Sequence, residues 1–240
     1  MEGLMIKDLY NLEETIAADL FDGVDYPWQV LPKIGEFILK LGPTLPKEEY
    51  DQVGDDVWIA KSAVVFPSAY VHGPAIIGKE AEVRHCAFIR GNAIVGEGAV
   101  VGNSTELKNV VLFNKVQVPH YNYVGDSILG YKAHMGAGSI TSNVKADKML
   151  VKVTAGSEHI ETGLKKFGAM LGDNVEVGCN AVLNTGTVIR HRWCAVLYRP
   201  GVFLKIRERS FKRKLFDELY QKCWTKPVFC EKIKINMISF

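Results

Sequence analysis

No uninterrupted apolar run in the chain approaches the roughly 18 residues that a membrane span needs, and the amino terminus, with Glu2, Lys7 and Asp8, lacks the apolar stretch of a secretory signal. A cytoplasmic protein is the expectation. Cysteine is scarce: Cys86, Cys179, Cys194, Cys223 and Cys230 are odd in number and include no C-x-x-C pair, so neither a disulfide framework nor a zinc ribbon is suggested. Nothing in residues 1–56 offers a glycine-rich nucleotide loop. Histidines never cluster: His72, His85, His120, His134, His159 and His191 are nowhere closer than 13 residues, whereas a metal site fed from one strand wants two imidazoles a few residues apart. What is present is 48% hydrophobic material in 240 residues, enough for one sizeable domain with a smaller appendage. The net charge of +2 hides a division. Residues 190–240 hold 13 Lys+Arg against 4 Asp+Glu, so the first 189 residues carry a net deficit of seven charges.

A fixed short period decides the architecture. Ile59, Val65, Val71, Ile77, Val83, Ile89, Val95, Val101 and Leu107 follow one another at intervals of six. A small residue stands two places before most of them: Ala63, Ala69, Ala75, Ala81, Ala87, Ala93, Ala99 and Thr105. Six is neither the helical period nor a two-residue alternation between hairpins. If each hexad is a short strand plus a turn, three hexads close one coil of a triangular prism, with aliphatics stacked inside and every strand parallel to its counterpart in the next coil. The expected fold is an all-β solenoid, a left-handed parallel β-helix over residues 57–190, an exception to the right-handed crossover rule. The register slips by one around Phe113 to Val118, resumes at Val124, Leu129 and Met135, stops near Ile140 and returns at Leu171, Val177, Leu183 and Ile189. The stretch 143–168 between, with Lys145, Lys148, Lys152, Lys165 and Lys166, is expected to be a loop thrown out from one corner.

The ends break the pattern. Residues 4–22 and 33–41 suit helices, so 1–56 is read as a helical cap that packs over the first coil and hides its edge. After Ile189 the hexads vanish, and 191–240 is read as a basic extension in which residues 203–222 form an amphipathic helix with Phe203, Leu204, Phe211, Leu215, Phe216 and Leu219 on one face. Those aromatics fit a packed helix better than a stacking platform, so no nucleic-acid partner is expected.

Chemistry concentrates in four segments: Ile89-Arg-Gly-Asn, Thr105-Glu-Leu-Lys108, Pro119-His-Tyr-Asn-Tyr-Val-Gly-Asp126 and Met135-Gly-Ala-Gly-Ser-Ile-Thr-Ser-Asn143. Arg90 and Lys108 each follow an inward aliphatic and are 18 residues apart, one full coil, so two cations stack on one side, as a phosphate dianion wants. Over residues 75–190 these segments resemble the C-terminal acetyltransferase domain of the bifunctional glucosamine-1-phosphate N-acetyltransferase / UDP-N-acetylglucosamine pyrophosphorylase, and from Arg90 to Asn143 the match needs no gap. The resemblance implies that Arg90 and Lys108 hold a sugar phosphate, that His120 is the general base and that Tyr123 and Asn143 contact the amino sugar. A histidine, with an ordinary pKa near 6.5, suits the removal of a proton from an amine as it attacks a thioester. Ala137, Cys179 and Lys148 fall to acetyl-CoA, the implied co-substrate, which need not be bound in the purified protein. Departures bear on the acceptor: His134, counted with the substrate-binding residues, stands where the family has an asparagine, Val144 where it has a tyrosine, Cys179 where it has a serine, and Lys148 lies one place off the family's loop lysine.

The resemblance also implies a homotrimer with acyl-CoA between adjacent prisms; because residues 1–56 offer no nucleotide loop, any pyrophosphorylase step is expected to need a separate nucleotidyltransferase chain. Two other classes stay open. One is a hydrase of the γ-carbonic-anhydrase kind on the same prism, against which the scattered histidines count. The other is a noncatalytic subunit that binds sugar nucleotides or accompanies a nucleotidyltransferase.

Overall fold

The computed structural model describes residues 3–155 and 158–190, with the backbone of 194–197 and 203–206. They wind into a parallel β-helix of about seven turns. Three faces stack. The first carries Val57–Ala60, Ala75–Ile77, Ala93–Val95, the ends of Glu106–Leu112 and Tyr123–Leu129, then Ala169–Leu171 and Thr187–Ile189. The second runs from Val64–Val65 through Glu82–Val83, Val100–Asn103, Gln117–His120 and His134–Met135 to Glu176–Val177. The third runs from Tyr70–Val71 through Phe88–Ile89 and the starts of the two long strands to Ile140–Thr141 and Val182–Leu183. Inside, Ile77, Val95, Leu112, Leu129 and Leu171 form one column in register, none with measurable exposure. Each such side chain contributes about 1.5–3 kcal/mol by leaving water.

The hexad holds except at one corner. Between the third and first faces the step from one inward aliphatic to the next falls to five residues twice, at Leu107–Leu112 and Val124–Leu129, and one strand runs unbroken across each. The register change therefore lies at 108–111 and again at 125–128, not at Phe113 to Val118. The run Val110-Val111-Leu112-Phe113 is apolar throughout, so the pattern alone could not say which member turns inward.

The expected amino-terminal helices are present but short: an α-turn at Ile6–Leu9, 3₁₀ turns at Leu12–Glu14 and Ala18–Phe21, and the eight-residue helix Ile34–Leu41. This segment reaches beyond the first coil. It lies along the first face, where the outward positions Trp58, Ile76, Ile94, Val111, Ile128 and Met170 are all apolar and buried. The edge of the first coil is covered by Tyr50–Gly54 of the same 1–56 stretch, as a strand antiparallel to Val57–Ala60. The excursion is not plain loop, since Lys152–Ala155 and Glu158–Glu161 pair as an antiparallel hairpin. Past Ile189 the ladder continues, with Cys194–Leu197 parallel to Glu176–Val177, and Phe203–Ile206 returns as an antiparallel strand where a helix was expected. The rest of that expected helix, 207–222, lies outside the described residues. Among the described residues no helix is long and apolar enough to cross a membrane.

Candidate active site

The shortened corner gathers the polar residues. Asn109 and Asp126 stand between the register pairs Lys108–Gly125 and Val110–Ser127, with φ of 56° and 48°, a region Asn and Asp tolerate better than other side chains. The Asp126 side chain is only 5% exposed. Its Oδ1 accepts from Lys108 Nζ at 2.9 Å and Asn109 Nδ2 at 3.0 Å; its Oδ2 accepts from Lys108 Nζ at 3.0 Å and Asn143 Nδ2 at 2.5 Å. Asn143 Nδ2 also reaches the Tyr123 hydroxyl at 3.2 Å. One coil earlier, the Arg90 backbone N–H donates to Leu107 O at 2.9 Å, and Arg90 Nη1 donates to Glu106 Oε1 at 2.7 Å. That hydrogen bond to Glu106 holds the guanidinium pKa above its ordinary value. Burial, then the charges of Asp126 and Glu106, push the Tyr123 phenol up, so at neutral pH it keeps its proton and can donate it.

Two cations and two carboxylates leave the corner formally neutral, yet not saturated. An ammonium carries three N–H donors and a guanidinium five. Lys108 gives its bonds to one carboxylate and Arg90 gives one to another, so each keeps donors for an incoming anion.

His120 belongs to the opposite edge of the third face. Backbone bonds from Ser104 N to His85 O, Tyr121 N to Asn103 O, Gly138 N to His120 O and Asn180 N to Ala137 O make His85, Asn103, His120, Ala137 and Cys179 one column, coil upon coil. His120, Ala137 and Cys179 are thus neighbours along one edge. The His120 side chain is exposed, and its ring has no hydrogen-bond partner among the described residues. Asn122 fixes the turn beneath it, accepting from His120 N at 3.1 Å and donating to Gly136 O at 2.8 Å. From His120 to Gly125 is five residues, at most about 18 Å of chain. A ligand touching His120 and Lys108 together must lie across the third face, over Tyr123.

The structure therefore brings together Arg90, Lys108, Tyr123 and Asn143 at one corner, and His120, Ala137 and Cys179 at another. His134 is with neither. It faces outward on the second face, Nδ1 2.8 Å from Glu176 Oε2. Lys148 lies in the exposed turn Lys145–Lys148 of the excursion. Asp126, Glu106 and Asn109 had no role in the sequence reading. The signal for Asp126 was its position 18 residues after Lys108, one nominal coil on. Among the described residues no three His, Cys, Asp or Glu side chains are grouped to hold a metal ion.

A parallel β-helix with this polar corner defines the class, and the chain belongs to the GMPPB C-terminal domain family, whose model matches residues 71–199. Among curated relatives, the bifunctional protein GlmU of Methanococcus maripaludis is 31% identical over 171 residues, 70% of this chain and 41% of that protein. The GlmU of Methanocaldococcus jannaschii is 37% identical over 89 residues, 37% of this chain and 22% of its own length. The bifunctional sugar-1-phosphate nucleotidylyltransferase/acetyltransferase of Sulfurisphaera tokodaii is 35% identical over 89 residues, 22% of its length. The chain spans less than half of each. These relatives support the resemblance to the left-handed β-helix acetyltransferase domain drawn from the sequence. A solved hexapeptide transferase family protein from Anaplasma phagocytophilum aligns over 70% of this chain and 89% of its own, with 18% identity and a TM-score of 0.49.

Proposed function

We propose that the chain is an acetyl-CoA-dependent N-acetyltransferase whose acceptor is an amino-sugar phosphate, such as glucosamine-1-phosphate, or a nucleotide-linked amino sugar. The observation that carries this reading is the third face, with Arg90 and Lys108 at one edge, His120 at the other and Tyr123 between. Arg90 and Lys108 would take the phosphate, Tyr123 and Asn143 the sugar. His120 would remove the amine proton as nitrogen attacks the thioester carbonyl; the C–N bond forms, the C–S bond breaks, and the thiolate of CoA leaves. The column of His120, Ala137 and Cys179 supports acetyl-CoA lying along that edge, with Lys148 toward its phosphates. His134 joins the acceptor pocket only through an adjacent prism, in the homotrimer that the resemblance implies.

Release of free thiol from acetyl-CoA in the presence of glucosamine-1-phosphate tests the reading. A positioned base contributes about 10²–10⁴ in rate, so His120→Ala should lose that factor. Equal rates in the two proteins remove His120 from the mechanism.

A second reading, a noncatalytic sugar-nucleotide-binding subunit, is favoured by the carboxylate already paired with each cation. It predicts a rise in melting temperature with a sugar nucleotide and none with acetyl-CoA.

A further inference from the structure

We propose that Asp126 is a positioning residue, which aims Lys108 and Asn143 at the ligand and ties both to the amino-terminal segment. The identity of that ligand, a sugar phosphate, rests on the acetyltransferase reading above; the geometry does not.

Asp126 is 3% exposed, and each of its oxygens accepts from Lys108 and from one amide. A lysine side chain is long and freely rotating. Held at 2.9 and 3.0 Å by both oxygens of a fixed carboxylate, its ammonium is confined to one place before any ligand arrives. Oδ2 also fixes the Asn143 amide, which in turn reaches the Tyr123 hydroxyl. Two routes connect this hub to the segment on the first face. Asn109 Nδ2 donates to Asp126 and also to Leu31 O at 3.2 Å. Phe167, whose N–H donates to Asn143 O at 3.0 Å, lays its ring 5.7 Å from that of Trp28. The next residue, Gly168, donates to Asp126 O at 2.8 Å and packs on Gly125 O and Ser127 Oγ with no room for a Cβ.

The sign of one measurement separates positioning from charge. Asp126→Asn makes the corner one unit more positive. If Lys108 acted as a charge alone, a phosphate would bind more tightly to the variant. Positioning requires the reverse. Calorimetric titration of glucosamine-1-phosphate into the full chain should give affinity about tenfold weaker in Asp126→Asn, with acetyl-CoA affinity unchanged. Unchanged or tighter sugar-phosphate binding overturns the proposal, as does an equal loss for acetyl-CoA. Should Asp126→Asn fail to fold, Lys108→Arg decides, because it keeps the charge and changes the shape that the carboxylate holds. A tenfold loss supports positioning; full binding overturns it. If the wild type binds neither an amino-sugar phosphate nor a nucleotide-linked amino sugar, the acetyltransferase reading has failed, and Asp126 is judged on Lys108 directly. Labelling of Lys108 by trinitrobenzenesulfonate should then be at least tenfold faster in Asp126→Asn than in the wild type, and equal rates end the idea.

Discussion

Arg90 and Lys108 each meet a carboxylate, but the surroundings make the two pairs unequal. Arg90 and Glu106 are 46% and 34% exposed, and an ion pair in water is worth at most about 1 kcal/mol. Arg90→Ala should therefore shift the melting temperature by no more than about 4 °C while weakening sugar-phosphate binding, as differential scanning fluorimetry and titration would show. Lys108→Ala leaves Asp126 buried with only two amides for partners. Removing one member of a buried pair costs up to about 3–5 kcal/mol, and urea unfolding should report a loss approaching that range. At this scale the sequence announced the cations, because an Arg and a Lys after inward aliphatics must point outward. It did not announce their anions. Glu106 reaches Arg90 across 16 positions and Asp126 reaches Lys108 across 18, and which acid meets which base depends on how many residues each coil takes.

The elements differ chiefly in what covers their outward side chains. On the first face these are apolar and fully covered by residues 27–41 and their neighbours; on the third, Tyr70 and Phe88 stand 60% and 41% exposed with ring centroids 6.0 Å apart. Ile94→Ala opens a cavity between two packed elements and should cost about 2–5 kcal/mol in urea unfolding. Phe88→Ala, outward on the open face, should cost far less in the isolated chain. A difference under 1 kcal/mol between the two would mean that the amino-terminal segment does not hold the first face in solution. This covering was partly legible: the outward position is apolar at Trp58, Ile76, Ile94 and Val111, every third hexad, while on the second face it reads Val64, Glu82, Val100 and Gln117. The period named the face that needed a cover, but nothing local named the cover.

For the whole molecule, occupation of the first face leaves the second and third for association. A homotrimer of prisms would bury Tyr70 and Phe88, and Phe88→Asp should then shift the sedimenting species from trimer toward monomer in analytical ultracentrifugation. A wild type that sediments as a monomer removes the trimer. By itself the sequence determined the solenoid, because a repeat of six places one aliphatic inside per strand, and each strand needs only its own residues to declare that side. It also determined which residues ride on the outside of the prism. Only the tertiary structure decided where the corners shorten, since Val110, Val111 and Leu112 are interchangeable as inward residues until their coil is stacked on the next. The same holds for the tie from Asn109 to Leu31, 78 positions away, and for that from Asn11 to Asp173, 162 away. Contacts at such separations come from how one surface fits another, which no window of the chain contains.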